Sequence, residues 1–176
     1  MTDVMIDIET LSTSPNALIL TIGAIKFNRK GVLKKIDDLE TFYVRINQDS
    51  CKTLGMDVNI DTVSWWMSQS DDAKYEVFEN KDRMNIKEGL LKLCEFIKPT
   101  RYVWANSPNF DCVILENAFK LCDIEVPWKF WNLRDCRTVY DLGNTRLPGT
   151  TSHNALEDCY NQIICLKKCL DTFRPL

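Results

Sequence analysis

The first apolar run, Val4-Met5-Ile6, finishes in two carboxylates one residue apart, Asp7 and Glu9. A short apolar run of this kind reads as a buried strand. Side chains along an extended backbone repeat with period 2, so Asp7 and Glu9 point to the same side. Residues 11–16 are a polar, turn-rich loop containing Ser, Thr, Pro and Asn. Apolar positions resume over 19–27, with Gly23 inside, and again over 42–46. Three successive strands with short connections predict an antiparallel meander.

Residues 49–59 are polar and read as irregular. Asp61 or Thr62 is placed to cap a helix through Val63, Trp65, Trp66 and Met67, and the charged segment 70–83 reads as loop with some helix. Ile86, Leu90, Leu93 and Ile97 fall at three- and four-residue steps, which predicts an amphipathic helix ended by Pro99. A fourth strand is predicted over 101–105, followed by the turn Asn106-Ser-Pro-Asn109. Asn109 is then placed to cap a helix over 110–122. A fifth strand is expected over 128–133, a short helix over 136–142 and a loop over 143–152. The last helix is expected over 154–170, with Leu156, Cys159, Tyr160, Ile163 and Ile164 on its apolar side. Strands followed by alternating helices and strands imply an α/β domain with a mixed central sheet flanked by helices. At 176 residues the chain reads as a single domain over 1–176.

Composition changes this picture little, being that of an ordinary globular protein with 45% hydrophobic and 27% charged residues. No stretch reaches the roughly 18 apolar residues of a membrane span. The N-terminus lacks a basic-then-apolar leader, so a cytoplasmic location is expected, in a bacterium or a phage-infected host. The eight cysteines are dispersed, none forms Cys-x-x-Cys and His153 is the one histidine, which leaves a four-ligand zinc site unsupported. They read as reduced, mostly buried thiols. The net charge of −3 argues against a polyanionic partner, but four carboxylates committed to metal ions would leave the remainder at −3 + 4 = +1.

Candidate chemistry rests on carboxylates. Asp-x-Glu occurs three times, at Asp7, Asp38 and Asp123, so the motif alone decides nothing. Its partners do. Asp111 falls in the first turn of a predicted helix just past a strand, at the sheet's carboxyl edge, where sites form in such sheets. Asp158 lies on the final helix beside Ala155 and Cys159, while Glu157 faces another way into solvent. His153 sits at the end of the preceding loop. Four carboxylates can bind two divalent ions, Mg²⁺ or Mn²⁺, about 3.5–4 Å apart, which clamp the oxygens of a phosphoryl displacement. A neutral histidine can deprotonate the attacking water.

The stretches Asp7-Ile-Glu-Thr10, Asn109-Phe-Asp111 and His153-Asn-Ala-Leu-Glu-Asp158 resemble the three motifs of the DEDDh 3′–5′ exonucleases, a superfamily with the ribonuclease H-like fold. Ile22-Gly-Ala-Ile25, Thr62-Val-Ser-Trp-Trp66, Trp104 to Asp111 and Arg134-Asp-Cys-Arg-Thr138 are similar to the exodeoxyribonuclease VIII-like subgroup, which includes phage exonucleases. The resemblance implies that Asp7, Glu9 and Asp158 share one metal and that Asp7 and Asp111 serve a second. It implies His153 as general base, and Thr10 and Leu11 against the terminal nucleotide. Asn109 and Phe110 of the second motif are expected at the substrate. Of the adjacent pair Trp65 and Trp66, one is expected in the core and the other as a stacking surface, with Trp66 taken for the substrate side. Trp104 is expected in the core, and Arg137 either contacts a phosphate or pairs with a nearby acid.

These readings converge on a metal-dependent 3′–5′ exonuclease acting on single-stranded nucleic acid and releasing nucleoside 5′-monophosphates, with DNA placed before RNA. The alternatives are a 3′–5′ exoribonuclease of the same family and a non-catalytic nucleic-acid-binding module that keeps the fold. A homodimer is compatible with the sequence, but no residue pattern demands one.

Overall fold

The computed structural model describes residues 2–79, 81–147 and 153–173. Three strands open the chain, β1 (Asp3–Thr10), β2 (Ile19–Phe27) and β3 (Thr41–Ile46). Helices α1 (Gln48–Thr53), α2 (Ile60–Met67) and α3 (Asp71–Phe78) follow, then β4 (Arg83–Met84) and α4 (Ile86–Ile97). The second half runs β5 (Val103–Ala105), α5 (Asp111–Leu121), β6 (Leu133–Asp135), α6 (Cys136–Leu142) and α7 (Ala155–Thr172). The sheet order is β4-β3-β2-β1-β5-β6. β1 pairs antiparallel with β2, and β2 antiparallel with β3, which is the expected meander. β1 with β5, β5 with β6 and β3 with β4 are parallel, so the sheet is mixed.

Each face of the sheet carries its own apolar core. On β1, Val4, Ile6 and Ile8 enter the larger core, while Met5 enters the second with Cys159 and Ile163 of α7. Asp7 and Glu9 have the parity of Met5, so both carboxylates stand on the α7 side, as period 2 dictates. The strand continues past Val4-Met5-Ile6 to Thr10, with a register irregularity between Glu9 and Thr10.

Several elements differ from the sequence-based expectation. Residues 48–53 are helical, because the Asn47 side chain accepts from the amides of Asp49 and Ser50 and only Cys51 is buried. A short helix organised by its cap has no apolar period to show. The cap of α2 is Asn59, not Asp61 or Thr62, and α3 is a full helix whose buried Ala73 and Val77 lie four residues apart. α5 begins at Asp111 without a side-chain cap. The amides of residues 110–113 reach the carbonyls of Ser107 and Pro108 instead, so Asn109 is exposed and caps nothing. The fifth strand of the prediction is a 3-10 turn (Phe130–Asn132), and the strand proper starts at Leu133. On α7 the buried stripe runs through Ala155, Asp158, Cys159, Gln162, Ile163 and Leu166, and Leu156, Tyr160 and Ile164 sit at its margin. Residues 148–152 of the loop expected before α7 lie outside the described residues.

All eight cysteines are free and seven are buried. Burial pushes the Cys51 and Cys165 thiols up to about 11, which makes them inert packing groups. Trp104 is in the core, 3% exposed. Among the described residues no helix is long and apolar enough to cross a membrane.

What fixes α7 on the sheet is Gly23. A Cβ there would lie 2.4 Å from the carbonyl carbon of Ala155 and 2.7 Å from the amide nitrogen of Leu156. Gly23 also stands opposite Asp7 in the β1–β2 register. The helix N-terminus therefore sits directly on the strand pair that carries the first two carboxylates. We expect Gly23→Ala to cost about 1–3 kcal/mol, the range for overpacking, measured by urea denaturation. Activity should fall further than stability, because the helix must lift away and takes Asp158 with it. A variant with unchanged denaturation would refute the close contact.

Candidate active site

Three elements deliver the acidic residues to one open cavity of about 390 Å³. β1 supplies Asp7 and Glu9, the first turn of α5 supplies Asp111, and α7 supplies Asp158. Asp111 and Asp158 are 4% and 7% exposed, and Asp7 and Glu9 are half-buried. Asp111 reaches β1 by accepting the Ile8 amide at 3.3 Å, which ties the start of α5 to the strand between the two other acids. The Gln162 amide donates to Asp7 Oδ1 at 2.7 Å. Gln162 lies four residues after Asp158 on α7 and shares its face, a spacing that could have flagged it from the sequence. Asn106, Ser107, Arg137 and Asn161 also line the cavity, and of these only Arg137 was singled out beforehand.

The electrostatics follow from this crowding. Burial raises the Asp7 carboxyl well above its ordinary range, and the neighbouring Asp111, Glu9 and Asp158 raise it further. Glu9 is pushed up to about 8 by burial, then by Asp158 and Asp111. Asp111 rises to about 7 through burial, opposed by the backbone amides of Ile8, Asp111 and Ser107 and by Arg137. Arg137 is the single Lys or Arg among the lining residues, too little charge to offset four carboxylates. The buried side-chain oxygens of Asn106 and Gln162 lack a hydrogen-bond partner in the same cavity. Closely set carboxylates with surplus oxygen acceptors suit a hard divalent cation, whose charge replaces the protons the acids otherwise retain. Glu9, His153 and Asp158 also bring one potential ligand atom each within 4.8 Å of one another.

His153 adopts a left-handed backbone, φ 51°, one residue before the α7 cap Asn154. Its ring meets Trp65 and Trp66 edge-on, with centroids 5.0 and 5.7 Å apart. Partial burial lowers its pKa below the usual 6.5, so the imidazole is neutral and proton-accepting at pH 7.

A second cavity of about 500 Å³ adjoins the first through Glu9 and Phe110, and is lined by Thr10, Thr13, Thr62 and Trp65 among others. Both tryptophans line it, but unequally. Trp66 is 1% exposed and its indole N–H donates to the Thr10 carbonyl at 2.8 Å, so it anchors the end of β1, and Trp65, 44% exposed, presents a ring to the cavity. Adjacent residues on a helix point about 100° apart, and only the fold decides which one faces inward. Leu11 is also a core residue, 5% exposed, and does not line either cavity; nor does exposed Asn109. Thr10, 5% exposed, donates its hydroxyl to the Ser12 carbonyl.

The chain is 26% identical over 204 residues to an exodeoxyribonuclease of enterobacteria phage T4, covering 97% of this chain and 89% of the relative. It superposes on Escherichia coli exonuclease I in complex with a dT13 oligonucleotide with a TM-score of 0.65 at 16% identity, covering 98% of this chain. A zinc-bound form of that enzyme with single-stranded DNA gives 0.64 at 17% identity. The chain spans 41% of the exonuclease I chain in both cases. These likenesses establish the ribonuclease H-like fold. Residues 2–170 match the model of the 3′–5′ exoribonuclease Rv2179c-like domain. The chain belongs to that family and is thereby a 3′–5′ exonuclease of the DEDDh type.

Proposed function

We propose that this chain degrades single-stranded nucleic acid from its 3′ end to nucleoside 5′-monophosphates, with DNA placed before RNA as substrate. The observation that carries the reading is the convergence of Asp7, Glu9, Asp111 and Asp158 with a neutral His153 in one open cavity. The full-length likeness to a phage exodeoxyribonuclease supports DNA, and the family description supports RNA as the alternative. Assignment to the exodeoxyribonuclease VIII-like subgroup rests on the sequence motifs alone.

The donor set suits two Mg²⁺ or Mn²⁺ ions, and the motif resemblance would give one to Asp7, Glu9 and Asp158 and the other to Asp7 and Asp111. When bound, they would supply positive charge to the phosphoryl oxygens undergoing displacement. The protein's own groups do the rest. His153 takes a proton from the attacking water, whose oxygen bonds to the terminal phosphorus as the bond to the preceding 3′-oxygen breaks. Arg137 meets a phosphate at the cavity rim. Gln162 holds Asp7 in orientation through its 2.7 Å hydrogen bond. Phe110 and exposed Trp65 give apolar surfaces for bases, a contact worth about 1–3 kcal/mol each. The closeness of His153 to Glu9 and Asp158 favours a second role, as a metal ligand. The two roles separate on substitution, since losing a base leaves metal affinity intact.

The deciding assay sets 5′-labelled single-stranded DNA and RNA of one sequence side by side with Mg²⁺ or Mn²⁺. A ladder shrinking from the 3′ end, abolished by EDTA, is expected, with the faster substrate identifying the sugar. No ladder on either from folded, metal-supplied protein would leave the binding-module alternative. In the same assay His153→Ala should lower turnover by roughly 10²–10⁴-fold at unchanged metal affinity. A near-wild-type rate would remove His153 from the role of base.

Metal and pH should also be coupled through stability. Glu9 has a folded pKa of about 8, above the 4.5 of an unperturbed carboxyl. Its folded form binds the proton more tightly, so this contribution to stability is present below about pH 4.5 and lost as pH rises through about 8. A divalent cation offsets that loss. The rise in Tm on adding Mn²⁺ should therefore be larger near pH 8.5 than near pH 6, read by thermal melts against EDTA. An equal or smaller rise at the higher pH would contradict the carboxylate site.

A further inference from the structure

Arg137 is the one Lys or Arg among the described residues that line the acidic cavity, so phosphates upstream of the scissile one need their counter-charge outside it. The edge strand β6 offers it. Arg137, which lines the cavity, is the second residue of α6, two positions past the end of β6, and Arg134 lies within the strand, opposite Trp104 in the register. Three guanidinium groups gather on the ring of Tyr102: Arg134 at 3.9 Å from its centroid, and Arg29 and Arg101 at 4.8 Å each. Beside them stand two aromatic rings outside the core. Phe130 is 79% exposed and Trp131 60%, packed edge-on at 4.8 Å. Arg134 donates to the Trp131 carbonyl at 2.8 Å, which fastens the aromatic pair to the cationic cluster.

Phe130 and Trp131 belong to neither apolar core and form an exposed aromatic pair that a ligand could cover. Stacking rings beside guanidinium groups match the two repeating features of a single strand, flat bases and phosphates. From Trp131 to Arg137 is six residues, at most about 20 Å of extended chain, so the pair lies within a few nucleotides of the cavity. We propose that the sheet edge at β6, with Arg134 in the strand, Arg101 beside it on Tyr102, Phe130 and Trp131 just before it and Arg137 just after it, is a second contact for single-stranded nucleic acid, holding the strand upstream of the 3′ end in the cavity. This rests on the exonuclease reading, and it sets substrate length as a determinant of affinity. Short products that cannot reach the aromatic pair are released, and long strands are retained.

Binding is measured apart from cleavage, by fluorescence anisotropy of a labelled single-stranded 20-mer in EDTA, with the full chain. In the double variant Phe130→Ala/Trp131→Ala the Kd should rise about tenfold or more, the scale of one or two lost stacking contacts. Arg101→Glu, at an exposed side chain, should weaken binding and flatten the salt dependence by about one charge. Cleavage of a dinucleotide, too short to span the edge, should change less than about twofold in the aromatic variant, whereas a 20-mer substrate should show a raised KM. Wild-type affinity for the 20-mer in both variants overturns the proposal. So does a concentration-dependent dimer lost in the aromatic variant with strand binding intact, which would give the surface to a second copy. Because the anisotropy needs no turnover, absence of cleavage in wild type would count against the exonuclease reading alone.

Discussion

Four carboxylates held together without compensating lysines is the arrangement on which the rest of the structure depends. Burial raises Asp7, Glu9 and Asp111, and the neighbouring carboxylates raise Asp7 and Glu9 further, so the cluster is tolerable only when protons or a cation share it. The fold opposes the repulsion with fixed geometry. Ile8 donates to Asp111 and Gln162 to Asp7, which ties α5 and α7 to β1. That rigidity is a cost to stability in the absence of an ion and a means of preorganising the site in its presence.

Gly23 is the hinge of that geometry. The close approach of Ala155 to a strand position without a side chain lowers α7 onto β1 and β2, and Asp158 comes down one helical turn further on. A larger residue would hold the helix off and open the carboxylate set. The buried indole of Trp66 does similar work at the other side, tying α2 to the carbonyl of Thr10 at the irregular end of β1. Both rings meet His153, and Trp65 is the more exposed of the two at the second cavity. The two adjoining cavities thus share one support.

The surface divides its tasks by charge. The catalytic end is acidic, and the basic-aromatic cluster on Tyr102 and beside Phe130 and Trp131 lies along the sheet edge that leads to it. A partner senses the local field rather than the sum, so a net charge of −3 does not by itself exclude a polyanion.

Much of this was legible in the chain. Period 2 put Asp7 and Glu9 on one side of β1, three-and-four spacing located α4, and a cap residue followed by helical spacing located α7 with Asp158 on its inner face. Those features are local and repeat along the backbone, so the sequence displays them. The short helices α1 and α3 were less visible because capping bonds define them more than apolar periodicity does. The choice between Trp65 and Trp66, the burial of Leu11, and the recruitment of Gln162 and Asn106 into the cavity depend on what crosses over each residue from distant parts of the chain. Only tertiary packing decided those, since a side chain's inward or outward fate is set by its neighbours in space and not by its neighbours in sequence.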